Sequence, residues 1–488
     1  MILRFGYAFG TNDQVELLPY VLYLHDHSLY AHDLFIQSLH ASQPNERTIV
    51  AHLLLPFAEH LSPAMFLIHL FNTVLLLLAL IKLAGRFIQN RYMAWLAVFI
   101  SVLVLNDKAL GNVDLYSSCV QASDMGAMVI AWSLNIFLDR RYLLASMVMA
   151  LATFLHVLEG FDVMAALCGV MVLQWLWSRE MPLSTVIRFF LIYLFTAGIY
   201  LLFIFRAKTA GGGVLPQEEL FEIMFAFRHP HHFLFSSFPL VNKVLFALYV
   251  AAGVMYFRSR SLTVVQFIAI GCVGLLVYIV GVDIFHIVFV ANFQWYKLGQ
   301  WIKYLGVVGA IGGIYHYARP VILTQSRLIN GAVGVAAVGI AGLIVYWQFS
   351  GRFDLGYKQC IDNEVALCKK LRELSPKDAV FIQPFEMSAL KFHAQRSSYV
   401  EFKAIAKNQK DLKIWYDRIQ EVFGLDYHVD KSGFNMQWKA DDHLDHLDEA
   451  ALAKLHAEGV THMICHTDRY SQVHHLILAE NGYYVYEL

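Results

Sequence analysis

Two carboxylates near the start of the chain, Asp13 and Glu16, stand in or beside a polar stretch, Gly10-Thr11-Asn12-Asp13-Gln14, ahead of long apolar sequence. A carboxylate beside hydrocarbon is costly to keep charged, so its presence there points to chemistry or ion handling rather than to stability. At a membrane–water boundary such a group can take a proton from an incoming hydroxyl as a general base. The pair could also hold a divalent cation that neutralises a phosphate leaving group. Asp26, Asp33, His25, His27 and His32 extend the same polar region. For Asp13, which follows a Gly-Thr-Asn turn and precedes an apolar helix, helix capping is the rival role.

A second group is Arg228-His229-Pro230-His231-His232, set among Phe225, Phe227, Phe233 and Phe235. A guanidinium can grip a phosphate or pyrophosphate bidentately, with imidazoles alongside, while the aromatic rings lie at the interface. Three histidines suit zinc equally, but Pro230 separates them and no His-Glu-x-x-His pattern is present, so no metal ligand is assigned. Lys297, between Trp295 and Trp301, is either a snorkelling anchor or a second phosphate contact. His156, Glu159 and Asp162 form a polar cluster between two apolar runs, read as a cavity lining or a loop cap. Arg396, Glu401, Lys403 and Arg418 read as charged surface. Asp441, Asp442, His443, Asp445, His446 and Asp448 read as a solvated acidic turn rather than a metal site.

The elements that must position these residues are mostly membrane helices. With 58% hydrophobic and 15% charged residues, the chain falls in the membrane class. A net charge of −1 gives no field that favours nucleic acid. Apolar runs long enough to span, or nearly so, occupy 64–83, 92–106, 123–138, 142–157, 161–178, 185–205, 239–257, 261–282, 300–318 and 328–348, or about ten spans. Basic residues follow alternate runs (Lys82, Arg86 and Arg91; Arg140 and Arg141; Arg179; Arg258 and Arg260; Arg319 and Arg327), while the intervening loops are acidic or histidine-rich. Lysine and arginine concentrate on the cytoplasmic side, so residues 1–62 and 351–488 are both expected outside. An outward N-terminal segment without a spanning helix before it suggests a preceding helix that this chain lacks.

The chain therefore divides into an outward first loop with interfacial helices (1–62), a transmembrane helical bundle (63–350) and a small extracytoplasmic α/β domain (351–488). The Gly211-Gly212-Gly213 run opens a second outer loop over 206–238. In the tail, apolar runs at Ala379–Ile382, Tyr399–Phe402, Val460–Ile464 and Tyr483–Tyr486 alternate with helical patterns at 358–374, 410–423, 447–458 and 471–480. That alternation predicts a largely parallel sheet. Cys360 and Cys368 would lie about 12 Å apart on one helix and cannot bridge each other, though either could meet Cys465.

The string Gly6 to Gln14, with Leu29-Tyr30 and Asp33 downstream and Arg228 to His232 later, resembles a family of uncharacterised bacterial multispanning membrane proteins. Its layout of about ten spans, acids in the first outer loop and an outer C-terminal domain is similar to that of the GT-C superfamily of membrane glycosyltransferases. The resemblance implies transfer of a sugar from a polyprenyl-phosphate donor, at the outer face of a bacterial inner membrane, with Asp13 in the catalytic position and Glu16 as its helper. A transporter or flippase of an anionic or lipid-linked substrate is the alternative, but it should carry charge deep within its spans. A third reading, an envelope scaffold, needs less bundle than this.

Overall fold

The computed structural model describes residues 5–104, 110–179, 181–209, 215–324, 357–359, 362–406 and 408–488, with isolated positions at 339, 342 and 346. In chain order the main helices are α1 (Gln14–His25), α2 (Leu34–Ala41), α3 (Thr48–Leu54), α4 (Leu61–Gly85), α5 (Arg91–Val104), α6 (Ala122–Leu138), α7 (Tyr142–Leu155), α8 (Val157–Leu173), α9 (Leu183–Tyr193) and α10 (Ile199–Thr209). They continue with α11 (Leu240–Phe257), α12 (Leu262–Ile279), α13 (Gly299–Thr324), α14 (Asp362–Leu374), α15 (Gln409–Phe423), α16 (Gln437–Asp445) and α17 (Glu449–Ala457). The strands of the C-terminal sheet are β1 (Val380–Ile382), β2 (Ser397–Ser398), β3 (His462–Cys465), β4 (His475–Glu480) and β5 (Tyr483–Glu487). The protein is thus mainly α-helical, with a small C-terminal α/β region.

Each expected apolar run from 64–83 to 300–318 coincides with helix over most of its described residues, while 105–106 and all of 328–348 except positions 339, 342 and 346 lie outside them. Among the described residues, five helices are long and apolar enough to cross a membrane: Thr48–Gly85, Val157–Ser178, Leu183–Arg206, Leu240–Phe257 and Leu262–Ile284. Arg91–Val104, Ala122–Leu138 and Tyr142–Leu155 are shorter apolar helices.

The chain forms two compact units. The first comprises residues 1–7, 65–199 and 231–358. Its helices are joined by polar side chains that reach carbonyls of neighbouring helices: Asn135 donates to Ala79 (2.9 Å), Ser133 to Ala145 (2.8 Å), Ser146 to Phe189 (2.7 Å) and Tyr304 to Leu80 (2.6 Å). Where the surroundings are as apolar as the side chains, such bonds and close backbone approach hold helices together. Gly306 and Gly309 of α13 meet α11 in this way; a Cβ at Gly306 would lie 2.5 Å from the Tyr249 carbonyl oxygen. Phe195, Leu240 and Ile284 remain exposed, as a hydrocarbon surrounding permits.

The second unit gathers residues 8–64, 200–230 and 359–488. Its sheet runs β2-β1-β3-β5-β4, parallel between β1 and both β2 and β3, antiparallel between β3, β5 and β4. The expectation of a largely parallel sheet is therefore corrected to a mixed one. The cause is a hairpin over 475–487, where a helix was expected at 471–480. Asn481 (φ 55°) and Gly482 (φ 84°) form the tight connection, two left-handed residues whose twist suits a two-residue hairpin. The second expected strand also moves, from Tyr399–Phe402 to Ser397–Ser398. Cys368 and Cys465 are buried and not joined in a disulfide, and Cys360 lies outside the described residues. The core of the sheet and α14 contains Leu367, Leu371, Phe381, Leu390, Ile464 and Val485.

Glu364 of α14 is buried among these elements, and burial pushes its carboxyl up to about 7, against bonds from the Ser388 backbone and the Tyr483 side chain. A carboxyl whose folded pKa exceeds its unfolded value binds more protons when folded. Its contribution to stability is therefore present at low pH and is lost as pH rises through the window from about 4.5 to about 7. Glu364→Gln should accordingly match the native protein near pH 4, below that window. At pH 8 it should be more stable by on the order of 3 kcal/mol, read from thermal unfolding at the two pH values.

Candidate active site

The second unit brings together most of the charges singled out at the start of the chain. The turn before α1 is shaped by Gly10 (φ 71°) and Asn12 (φ 52°), residue types that accept the left-handed region at little cost. The Gln14 side chain takes the Gly10 N–H (2.8 Å), and the Lys403 ammonium donates to the Asn12 carbonyl (2.7 Å). Asp13 is thereby presented at the exposed N-terminal end of α1. Its side chain makes no capping bond to the helix. One turn further in, Glu16 is 6% exposed and faces the interior of the unit.

Glu16 is neutralised by Arg47, whose Nη2 forms a direct ion pair with its carboxylate. Arg47 was not anticipated. It is the N-terminal boundary residue of the apolar helix Thr48–Gly85, set by a turn in which Asn45 accepts the Arg47 N–H (2.9 Å) and donates to the Leu39 carbonyl (2.8 Å). Burial alone would depress its guanidinium, but Glu16, Asp13 and Glu46 together hold it above its usual value. Among the described residues its buried Nε–H has no hydrogen-bond partner.

Arg228 ends a wide π-helical turn over Glu222–Arg228. Its guanidinium is buried, lies 4.9 Å from the Phe402 ring centroid, and donates through Nε to the Phe402 carbonyl and through Nη2 to the Lys403 carbonyl, each at 2.6 Å. Burial lowers its pKa to about 10, while Glu16 and Asp13 pull the other way, so the cation persists at neutral pH. Asp13, Glu16, Arg47 and Arg228 therefore act on one another as a single electrostatic group: two carboxylates, one exposed, and two guanidiniums. Such a group can accept a proton at Asp13 and attract an anion toward the arginines. Because Glu16 already engages Arg47, the Asp13–Glu16 pair does not present two open carboxylates to a divalent cation. Among the described residues, no three His, Cys, Asp or Glu side chains are grouped to hold a metal ion.

The other candidates make contacts of their own. His229 of the second unit contacts the Met224 carbonyl through Nδ1 (3.1 Å). His231, His232 and Lys297 belong to the first unit. There the His231 and His232 rings lie 4.3 Å apart, His232 Nδ1 meets the Gly111 carbonyl (2.8 Å), and Lys297 Nζ lies 3.3 Å from His156 Nε2. Asp26 is held below the usual carboxylate range by Lys377 and Ser28. Asp33 caps α2 through the Ile36 N–H (3.0 Å) and accepts the Ser398 N–H (3.1 Å), a structural role.

Two residues expected at a charged surface are buried instead. Arg396 donates to the carbonyls of Arg372 (2.8 Å) and Ser375 (2.6 Å), and Glu401 pairs with the buried Lys391 (2.7 Å). A charge in the interior must be compensated, and here distant segments supply the partners. In the acidic run, Asp441 accepts the Phe385 N–H (2.8 Å), Asp445 the His466 N–H (2.9 Å) and Asp448 the Ala451 N–H (2.8 Å).

A family model described as a domain of unknown function (DUF6798) matches residues 362–422, which hold α14, β1, β2 and most of α15. No curated protein matches the chain. Among solved structures, the chain is similar to an oligosaccharyltransferase from Archaeoglobus fulgidus, crystallised tethered with an acceptor peptide containing the NVT sequon via a disulfide bond. That likeness has a TM-score of 0.47 and 12% identity, covering 92% of this chain and 64% of the archaeal one. This chain thus spans less than two thirds of that protein's length.

Proposed function

We propose that the protein is an integral membrane glycosyltransferase that moves a sugar from a polyprenyl-phosphate donor to an acceptor hydroxyl at the outer face of a bacterial inner membrane. The observation that carries this reading is the charge group of the second unit. An exposed carboxylate, Asp13, shares its field with two guanidiniums, one of which begins a helix apolar enough to cross a membrane.

In the proposed reaction the acceptor oxygen bonds to the anomeric carbon as the bond from that carbon to the donor phosphate oxygen breaks. Asp13 takes the hydroxyl proton. The electron pair leaves with the phosphate, and Arg47 and Arg228 stabilise the charge that develops there. Glu16 keeps Arg47 in place. A greasy donor tail suits a chain with several apolar helices.

The test is direct. The purified full-length protein is incubated with radiolabelled polyprenyl-phosphate sugars and a membrane extract. A labelled product that depends on the protein is expected; no product with any donor of this class overturns the reading.

A further inference from the structure

The first unit holds an acidic site that the transfer reaction does not use. Helices α7 and α8 are separated by a single extended residue, His156, whose Nδ1 accepts the Glu159 N–H (3.3 Å). Glu159 thus falls in the first turn of α8, where helix N–H groups favour an anion, and Asp162 follows three residues later on the same face. Both are buried, at 3% and 0% exposure.

Burial of two carboxylates demands partners, and most are missing. Among the described residues neither oxygen of Asp162 has a hydrogen-bond partner, and neither has Glu159 Oε2. The other Glu159 oxygen accepts from Gln300 Nε2 (2.8 Å). That bond fixes the orientation of the Gln300 amide, because the reversed amide would set two oxygens against each other. The Gln300 carbonyl oxygen, 2% exposed, also lacks a partner. One ammonium, Lys297, acts on both carboxylates. With both carboxylates ionised, two negative charges against one positive charge leave −1.

We propose that Glu159, Asp162 and the Gln300 carbonyl form a buried binding site for a small monovalent cation, best matched by Na+. Every open ligand atom is oxygen, which selects a hard cation over a transition metal. A single positive charge brings the site to neutrality, whereas a divalent ion would leave an excess. Gly126 of α6 keeps space beside Glu159 Oε2, since a Cβ there would sit 3.6 Å from that oxygen and 2.9 Å from the His156 Cβ. An ion in such a place would neutralise charge that otherwise stays uncompensated inside apolar helices.

The experiment uses the purified full-length protein and its thermal unfolding in NaCl and in choline chloride at equal ionic strength. A saturable rise on the order of 3 °C in Na+ over choline is expected for the native protein. Asp162→Asn should abolish that difference and be at least as stable as the native protein in choline. If that variant cannot be purified, Gln300→Ala makes the comparison, with the half-saturating Na+ concentration raised about tenfold. Equal unfolding temperatures in Na+ and choline overturn the proposal, as does a Na+ effect that survives Asp162→Asn. Stabilisation by lowered pH with no cation effect also overturns it and assigns the site to a proton.

Discussion

Asp13→Asn should abolish sugar transfer, lowering turnover by about 10²–10⁴-fold, while lowering the unfolding temperature by only a few degrees. The substitution removes the proton acceptor but keeps the size and shape of the side chain. Asp13 is exposed and makes no capping bond, so the change acts through the loss of its field on Arg47 and Arg228. Loss of an exposed charge that faces partners of opposite sign costs about 0.2–1 kcal/mol. The combination separates chemistry from folding. Full activity in Asp13→Asn, measured with the labelled donor, removes the central residue from the mechanism, whereas a matched loss of stability would make Asp13 a structural residue.

Lys391→Met should be the most destabilising single change, costing about 3–5 kcal/mol, because breaking a buried pair leaves the partner charge uncompensated. Lys391 is 1% exposed, bonds Glu401 at 2.7 Å, lies 3.9 Å from Asp33 and sits over the Phe35 ring. Burial works against the ammonium, yet Asp33 and Glu401 hold its pKa above the usual lysine value. Methionine fills the volume and supplies no charge. Thermal unfolding of the full chain reads the loss, and the double variant Lys391→Met/Glu401→Gln should recover part of it. A Lys391→Met protein as stable as the native one would show that the pair is incidental.

Local features of the chain announced themselves in the sequence. The apolar runs were legible because a spanning helix needs little more than length and hydrocarbon side chains, and the Gly10 to Asp13 turn because its residue types are those that accept left-handed backbone. Arg47 was missed because its partner, Glu16, is 31 residues away and no local pattern marks it. Glu401 and Arg396 were taken for surface for the same reason: charge suggests exposure until a distant segment supplies the partner. The hairpin over 475–487 did carry a local signal, Asn481-Gly482 between two apolar runs, which an apparent helical spacing over 471–480 overrode.

The Lys403 bond to Asn12 joins residues 391 positions apart, and the Tyr30 bond to the Lys391 carbonyl spans 361. Contacts this distant must wait on the ribosome. The carboxylates near the start of the chain emerge early, yet the backbone and side chains that fix them are translated near the end. A nascent chain halted before residue 390 would hold its apolar helices without these contacts, so the Asp13 turn gains its last hydrogen bonds only as synthesis finishes.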